Sequence, residues 1–269
     1  MAAASRRLVP SVIMLSLVGG CAAPQTRAPV FTTAASPIAA SPMQPPRGVV
    51  WVVDGAGGQP EATRAVNKAV REPGVPLQVR SYEWTHGFGL GVRDMTDVEH
   101  ARAQARCLAA EITAFHATSP GMPIYVVAYS AGTHVALEAT RCLEPDSIER
   151  IILLAPAVAA DYDLRPALFA ARQGIDVFTS KRDRFYLGLG PRLVGTADGQ
   201  RFVPAAGRVG FYTPPLPATE ALLAQRLRQH PWEESVAWTG NLGTHAGTLD
   251  ATYFRAYVLP LLSTSCDSR

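Results

Sequence analysis

From Gly48 onward, short apolar runs alternate with helical patterns, and that alternation restricts the chain to a mostly parallel sheet covered by helices on both faces. Val49–Val53 reads as a buried strand that breaks at Asp54-Gly55-Ala56-Gly57-Gly58, and Glu61–Arg71 as the helix after it. Residues 77–84 form the next expected strand, ending at His86-Gly87-Phe88-Gly89, before a long helix over 98–116. The strand at 124–128 runs directly into Tyr129-Ser130-Ala131-Gly132, with a helix over 133–142. A buried strand at 148–154, a short helix at 164–172 and a strand at 175–178 follow, the last leaving through Thr179-Ser180-Lys181-Arg182-Asp183. The remaining pattern predicts a helix over 218–229, a strand over 235–239 and a closing helix over 249–262. No internal repeat is present. The Gly- and Pro-rich stretch 187–217 is long for a passive connection, and such loops are usually functional. It either overhangs a pocket, shaping an apolar site with Phe202, Phe211 and Tyr212, or packs on its own side chains as a surface loop.

The N-terminus has a different character. Arg6 and Arg7 precede an apolar run over 8–18, too short to span a bilayer, so residues 1–20 read as an export signal. Val18-Gly19-Gly20-Cys21 resembles a bacterial lipobox, which implies lipidation of Cys21 and attachment to the cell envelope; an incidental cysteine after a secretory signal is the plainer reading. Ala22, rather than Asp, after the cysteine leans toward the outer membrane. Residues 21–47, rich in Ala, Pro, Ser and Thr, are expected to form a flexible tether, and residues 48–269 the folded domain. With Arg6 and Arg7 removed, the formal charge of +3 falls to +1, which gives no basic patch for nucleic acid.

Ser130 is the most specific chemical signal. A strand, a serine flanked two residues away by small residues, and a helix together describe a nucleophile elbow, a turn so tight that strand and helix nearly touch. The flanks here are Ala128 and Gly132, one methyl away from the double-glycine pattern. A serine hydroxyl needs a histidine to take its proton and a carboxylate to orient that histidine, and after an elbow of this kind the acid and then the histidine follow in the chain. Asp183, past a strand end, and His245, in Gly243-Thr244-His245-Ala246-Gly247, have the right order. His86 is the second candidate base, and Asp161 or Asp163 are rival acids. His100 and His116 fall on a helix, His134 lies one turn beyond Ser130, and His230 is expected in a Pro-Trp loop. Oxyanion donors are expected at the Ala131 N–H and at the turn after the first strand, from Ala56 first and Gly57 second. Gly55 and Gly57 lead to Pro60 rather than to a third glycine, against a dinucleotide fingerprint.

On these residues, from Gly48 to Leu262, the sequence resembles the α/β-hydrolase superfamily, of the kind that includes bacterial lipases and esterases. The resemblance implies an α/β-hydrolase fold and a serine hydrolase mechanism on a small-molecule or lipid ester, with Ser130, Asp183 and His245 as the triad. An amidase or peptidase with the same triad, and a non-catalytic binding protein on the same fold, are the alternatives. No cofactor and no metal are expected, since paired C-x-x-C and HExxH spacings are both missing. The fold also puts the helices on either side of the nucleophile strand next to each other. Cys107 would lie about 15 Å and Cys142 about 18 Å down those helices at 1.5 Å per residue. In an oxidising compartment these two could pair, with Cys266 left in the polar tail, or all three could be free thiols.

Overall fold

A computed structural model describes residues 45–72, 75–184, 195–212 and 221–263. The segment read as an export signal, Cys21, most of the tether and Cys266 lie outside these residues.

Six parallel strands form one sheet in the order β2-β1-β3-β4-β5-β6. They are β1 (Val49–Val53), β2 (Gln78–Tyr82), β3 (Ile124–Tyr129), β4 (Arg150–Leu154), β5 (Ile175–Thr179) and β6 (Leu227–Pro231). β1, β3 and β5 are buried along their whole length, as the continuous apolar runs of a sheet covered on both faces require. The helices α1 (Glu61–Arg71), α2 (Gly91–Thr96), α3 (Val98–Thr118), α4 (Gly132–Ala139) and α5 (Arg165–Ala170) fill the crossovers. The α/β-hydrolase fold expected from the sequence is therefore present.

The strand order explains where a site can form. From β1 the chain steps through α1 to β2 on one side, then returns through α3 to β3 on the other. Parallel crossovers are right-handed, so this reversal sends α1 and α3 to opposite faces and opens a crevice beyond the C-terminal ends of β1 and β3. The turn at residues 54–58 and the turn at Ser130 border that crevice, in register through Val53 and Ala128.

The C-terminal third departs from the sequence reading. Of the helix expected over 218–229, residues 218–220 lie outside the described residues, Ala221–Ala224 is helical, and Leu227–Pro231 is instead the edge strand β6. Its Leu227, Arg228 and Gln229 are good helix formers, but the strand is held by Arg228 and His230 reaching the buried Asp176 of β5. The strand expected over 235–239 is instead a 3₁₀ helix, Glu234–Thr239, since Val236 and Thr239 turn inward at a spacing of three while Trp238 stays exposed. The closing helix is broken into a 3₁₀ turn at Gly247–Leu249, one α-turn capped by Asp250, a π-helical turn at Phe254–Val258 and a final 3₁₀ turn. Pro260 has no N–H for the preceding turn and its ring crowds the carbonyl there, which accounts for the wide turn before it.

Two alternatives left open by the sequence are narrowed among the described residues. Cys107 and Cys142 are free and exposed: α3 turns Ala101, Ala105, Leu108, Ala109 and Ile112 inward, and Cys107 lies off that face, so no bridge links it to Cys142. Of the stretch 187–217, read as either a pocket overhang or a surface loop, the described residues 195–212 are sewn onto the chain after β4. Ala197 N–H donates to the Ala157 carbonyl, Ala159 bridges Ala205, and Phe211 is buried in the core rather than presented at a pocket mouth. Phe202 and Tyr212 are exposed.

Candidate active site

The backbone at the end of β3 is forced into an uncommon shape. Ser130 has φ 51°, a left-handed conformation that costs a non-glycine residue about 1–3 kcal/mol and persists only when the surroundings fix it. Here they do. Ser130 N–H donates to the Leu154 carbonyl at 3.0 Å, and its own carbonyl accepts from Thr133 Oγ1 at 2.6 Å, Thr133 N–H at 3.2 Å and Ala157 N–H at 3.1 Å. Gly132 is required two residues on: a Cβ there would stand 2.2 Å from the Asp54 carbonyl oxygen and 2.6 Å from that of Val53. On the other flank Ala128 is fully buried in the sheet, in register with Val53 and Leu153, so its methyl group is accommodated on the strand side of the turn.

The elbow presents Ser130 Oγ to His245, with Nε2 at 2.8 Å, and His245 Nδ1 lies 2.5 Å from Asp183 Oδ2. A neutral imidazole that donates Nδ1–H to Asp183 keeps its Nε2 lone pair for the serine O–H, and this tautomer follows from the hydrogen-bond network. Asp183 is buried and the His245 side chain is 9% exposed, so the pair works largely out of water. Tyr129 packs beside the His245 ring at 5.2 Å.

Two loops must meet for this geometry. The Asp183 loop leaves β5, and the histidine loop follows the 3₁₀ helix, with His245 fourteen residues after β6 rather than directly after a strand. Ser180 Oγ donates to the Gly243 carbonyl at 2.7 Å, and the Arg182 guanidinium lies 4.2 Å over the Trp232 ring. Trp232 Nε1 in turn donates to the Asn241 carbonyl at 2.8 Å, while the buried Asn241 Oδ1 accepts the Gly243 N–H at 2.9 Å. Ser180, Trp232 and Asn241 did not stand out in the sequence, because their work is loop-to-loop contact that no local pattern carries.

The rivals are elsewhere. Asp163 is paired with the neighbouring Arg165, and Asp161 is exposed. His86 contacts Asp94 and Asp97, and His100 Nε2 donates to the Trp84 carbonyl at 2.7 Å. His116 is exposed, and His134 is buried in α4, where desolvation lowers its pKa and favours the neutral ring. His230, expected in a loop, is on β6 against Asp176.

At the turn after β1, the Gly57 N–H is taken by Asp94 Oδ2 at 2.7 Å, which removes it as a free donor. Ala56 precedes it, and Ala131, fully buried, stands at the N-terminal cap of α4. Asp54 caps α1 from a distance, its Oδ1 accepting from the N–H groups of Ala62 and Thr63.

Residues 44–184 match the Hydrolase_4 family, described as serine aminopeptidase, S33. That stretch holds the elbow and Asp183 and stops before His245. No curated protein matches the chain. Among solved structures, the chain is similar to an a/b serine hydrolase without lid from Xanthomonas campestris, at 14% identity over 82% of this chain and 84% of that one, with a TM-score of 0.49. It is also similar to the esterase PE8, at 16% identity over 79% and 93% with a TM-score of 0.47. An acetylxylan esterase gives 15% identity over 81% and 97%, with a TM-score of 0.44.

Proposed function

Because the chain belongs to the serine aminopeptidase S33 family of α/β-hydrolases, and is therefore a serine hydrolase in general, we propose that it cleaves carboxylic esters through an acyl-enzyme at the bacterial cell envelope. The observation that carries this reading is the continuous array from Ser130 Oγ through His245 to Asp183, at 2.8 Å and 2.5 Å. Ser130 Oγ attacks the acyl carbon as its proton passes to His245 Nε2, and Asp183 holds the imidazolium that forms. The N–H groups of Ala56 and Ala131 receive the oxyanion. Collapse of the tetrahedral adduct breaks the ester C–O bond, and the alcohol leaves with the proton from His245. Water then attacks the acyl-serine, giving its proton to His245, and the acid is released as the proton returns to Ser130.

A second reading, an aminopeptidase, is favoured by the description of the matched family. Such an enzyme needs a carboxylate free to hold the substrate ammonium group. Asp54 is committed to Ala62 and Thr63, Asp94 to Gly57 and His86, and Asp183 to His245. These commitments take those three carboxylates out of that role.

The test is labelling of the protein with a fluorophosphonate, followed by turnover of p-nitrophenyl esters of graded chain length and of aminoacyl-naphthylamides. Labelling at Ser130 with ester turnover supports the proposal. Turnover of the naphthylamides alone would replace it with the peptidase reading. Ser130→Ala is expected to lower turnover by about 10⁶ without unfolding the domain, and full activity in that variant would remove the hydrolase mechanism. Attachment to the envelope through a lipid on Cys21 is part of the same proposal, with the outer membrane as the favoured side.

A further inference from the structure

Asp94 is a carboxylate with no exposed side-chain surface, and no arginine or lysine among the described residues pairs with it. Its two oxygens accept three N–H groups instead. Oδ2 takes Gly57 N–H at 2.7 Å; Oδ1 takes the backbone N–H of His86 and the His86 ring at Nδ1, both at 2.8 Å. Gly57 directly follows Ala56, the residue whose N–H is assigned to the oxyanion. The same segment grips the turn at two more points: Gly89 N–H donates to the Gly57 carbonyl at 3.1 Å, and Trp84 Nε1 donates to the Asp54 carbonyl at 2.8 Å. Both peptide groups flanking Gly55-Ala56 are thus fixed from outside the turn. The His86 ring is itself fixed, with Nε2 3.3 Å from Asp97 Oδ2 and its face against His100 at 3.9 Å, and these four side chains do not converge on a point that could hold a metal.

From this we infer that Asp94 is a positioning residue for the oxyanion hole: its buried carboxylate fixes the Gly57 N–H, and through it aims the Ala56 N–H at the acyl oxygen. The inference rests on the serine hydrolase reading above. Two features single out this role. A hydrogen bond from an N–H to a carboxylate is roughly twice as strong as one to a neutral acceptor, so the bond to Gly57 is the stiffest available at that turn. The turn itself has little rigidity of its own, since Gly57 and Gly58 both have positive φ, at 95° and 69°. Glycines permit the shape without enforcing it; the carboxylate supplies the enforcement. Positioning matters here because oxyanion donors act on charge that develops only in the transition state, and removing one donor costs about 10²–10³ in rate.

The variant Asp94→Asn keeps the size of the side chain but offers one acceptor oxygen where two are used. Its kcat on a p-nitrophenyl ester is expected to fall about 10- to 100-fold, with KM within about twofold because ground-state binding does not use these donors. The diagnostic reading is the ratio of ester to thionoester turnover. Sulfur is larger and a weaker acceptor than oxygen, so well-aimed donors favour the ester, and that preference is expected to shrink about tenfold in Asp94→Asn. General loosening of the fold would slow both substrates alike and leave the ratio unchanged, which overturns the inference. Asp97→Asn, which touches His86 but not the turn, is expected to keep the wild-type ratio, and an equal loss there would also overturn it. A measurement on the wild type needs no variant to fold: amide exchange is expected to be slow at Gly57 and fast at Ala56, and rapid exchange at Gly57 overturns the clamp. Ser130→Ala in the same assay separates the premises. If it is inactive while Asp94→Asn keeps the ratio, the clamp alone fails; if it keeps full activity, the hydrolase reading fails and the clamp with it.

Discussion

At Ser130, strain and function share one cause. The left-handed φ lifts Oγ out of the sheet toward His245, and the four hydrogen bonds around this residue hold it there, which a serine in an ordinary strand-to-helix turn would not require. The acid can be tested at the same scale. Asp183→Asn preserves shape but replaces the acceptor of the His245 Nδ1–H with a group that can donate, which favours the wrong imidazole tautomer. A fall in kcat of about 10⁴ is expected, with labelling of Ser130 slowed in step. Asp163 bonds only to its neighbour Arg165, partly in solvent, so Asp163→Asn is expected to keep turnover within about twofold. Steady-state kinetics on one ester checks both, and the reverse ranking would move the acid to the chain after β4. Ser130, Asp183 and His245 were each legible as residues, since elbow, strand end and chain order leave local marks. Asp94 was not, because its partners lie 37 and 8 residues away and its helix α2 is a single short turn and a half with no apolar period.

Among the elements, β6 shows where pattern reading fails and why. β1, β3, β4 and β5 are apolar because both their faces are covered, and that burial writes itself into the sequence. β6, at the edge, reads Leu227-Arg228-Gln229-His230-Pro231 and is specified by charge instead. Asp176 on β5 is fully buried. Burial by itself pushes its carboxyl upward, but donation by His230, Arg228 and Arg150 outweighs this and holds it well below the usual carboxylate range. Asp176→Asn is expected to cost about 3 kcal/mol, the low end for breaking a buried ion pair, since Arg228 and His230 can turn to solvent. A folded pKa below the unfolded one means that the stabilisation is present above about pH 4, the unfolded carboxyl value, and fades as pH falls through the lower folded value. Urea melts of wild type and Asp176→Asn should therefore converge as pH falls below about 4. A difference that stays constant from pH 7 to pH 3 would remove the carboxylate from the account of β6.

For the whole molecule, six strands pointing the same way give the sheet two unlike ends. Every group in the catalytic array lies beyond a C-terminal end of the sheet, whereas the chain enters β1 at Val49, at the N-terminal end. The described chain therefore enters the domain at the end of the sheet away from Ser130. Among the described residues no helix is long and apolar enough to cross a membrane. One acyl chain holds a protein only marginally, while a diacylglyceryl group with a further acyl chain exceeds the two-signal threshold. The proposed lipidation of Cys21 would supply that. In the protein expressed with residues 1–20 present, Cys21→Ser is expected to move most of the protein from the membrane pellet to the soluble fraction. Turnover of a soluble ester should remain within about twofold, because Cys21 precedes β1 in the chain and supplies no group to the array of Ser130, His245 and Asp183. Persistence of the variant in the pellet after a high-salt wash would place the attachment elsewhere in the chain, and a large loss of turnover in the released protein would mean that the anchor and the triad do not act independently.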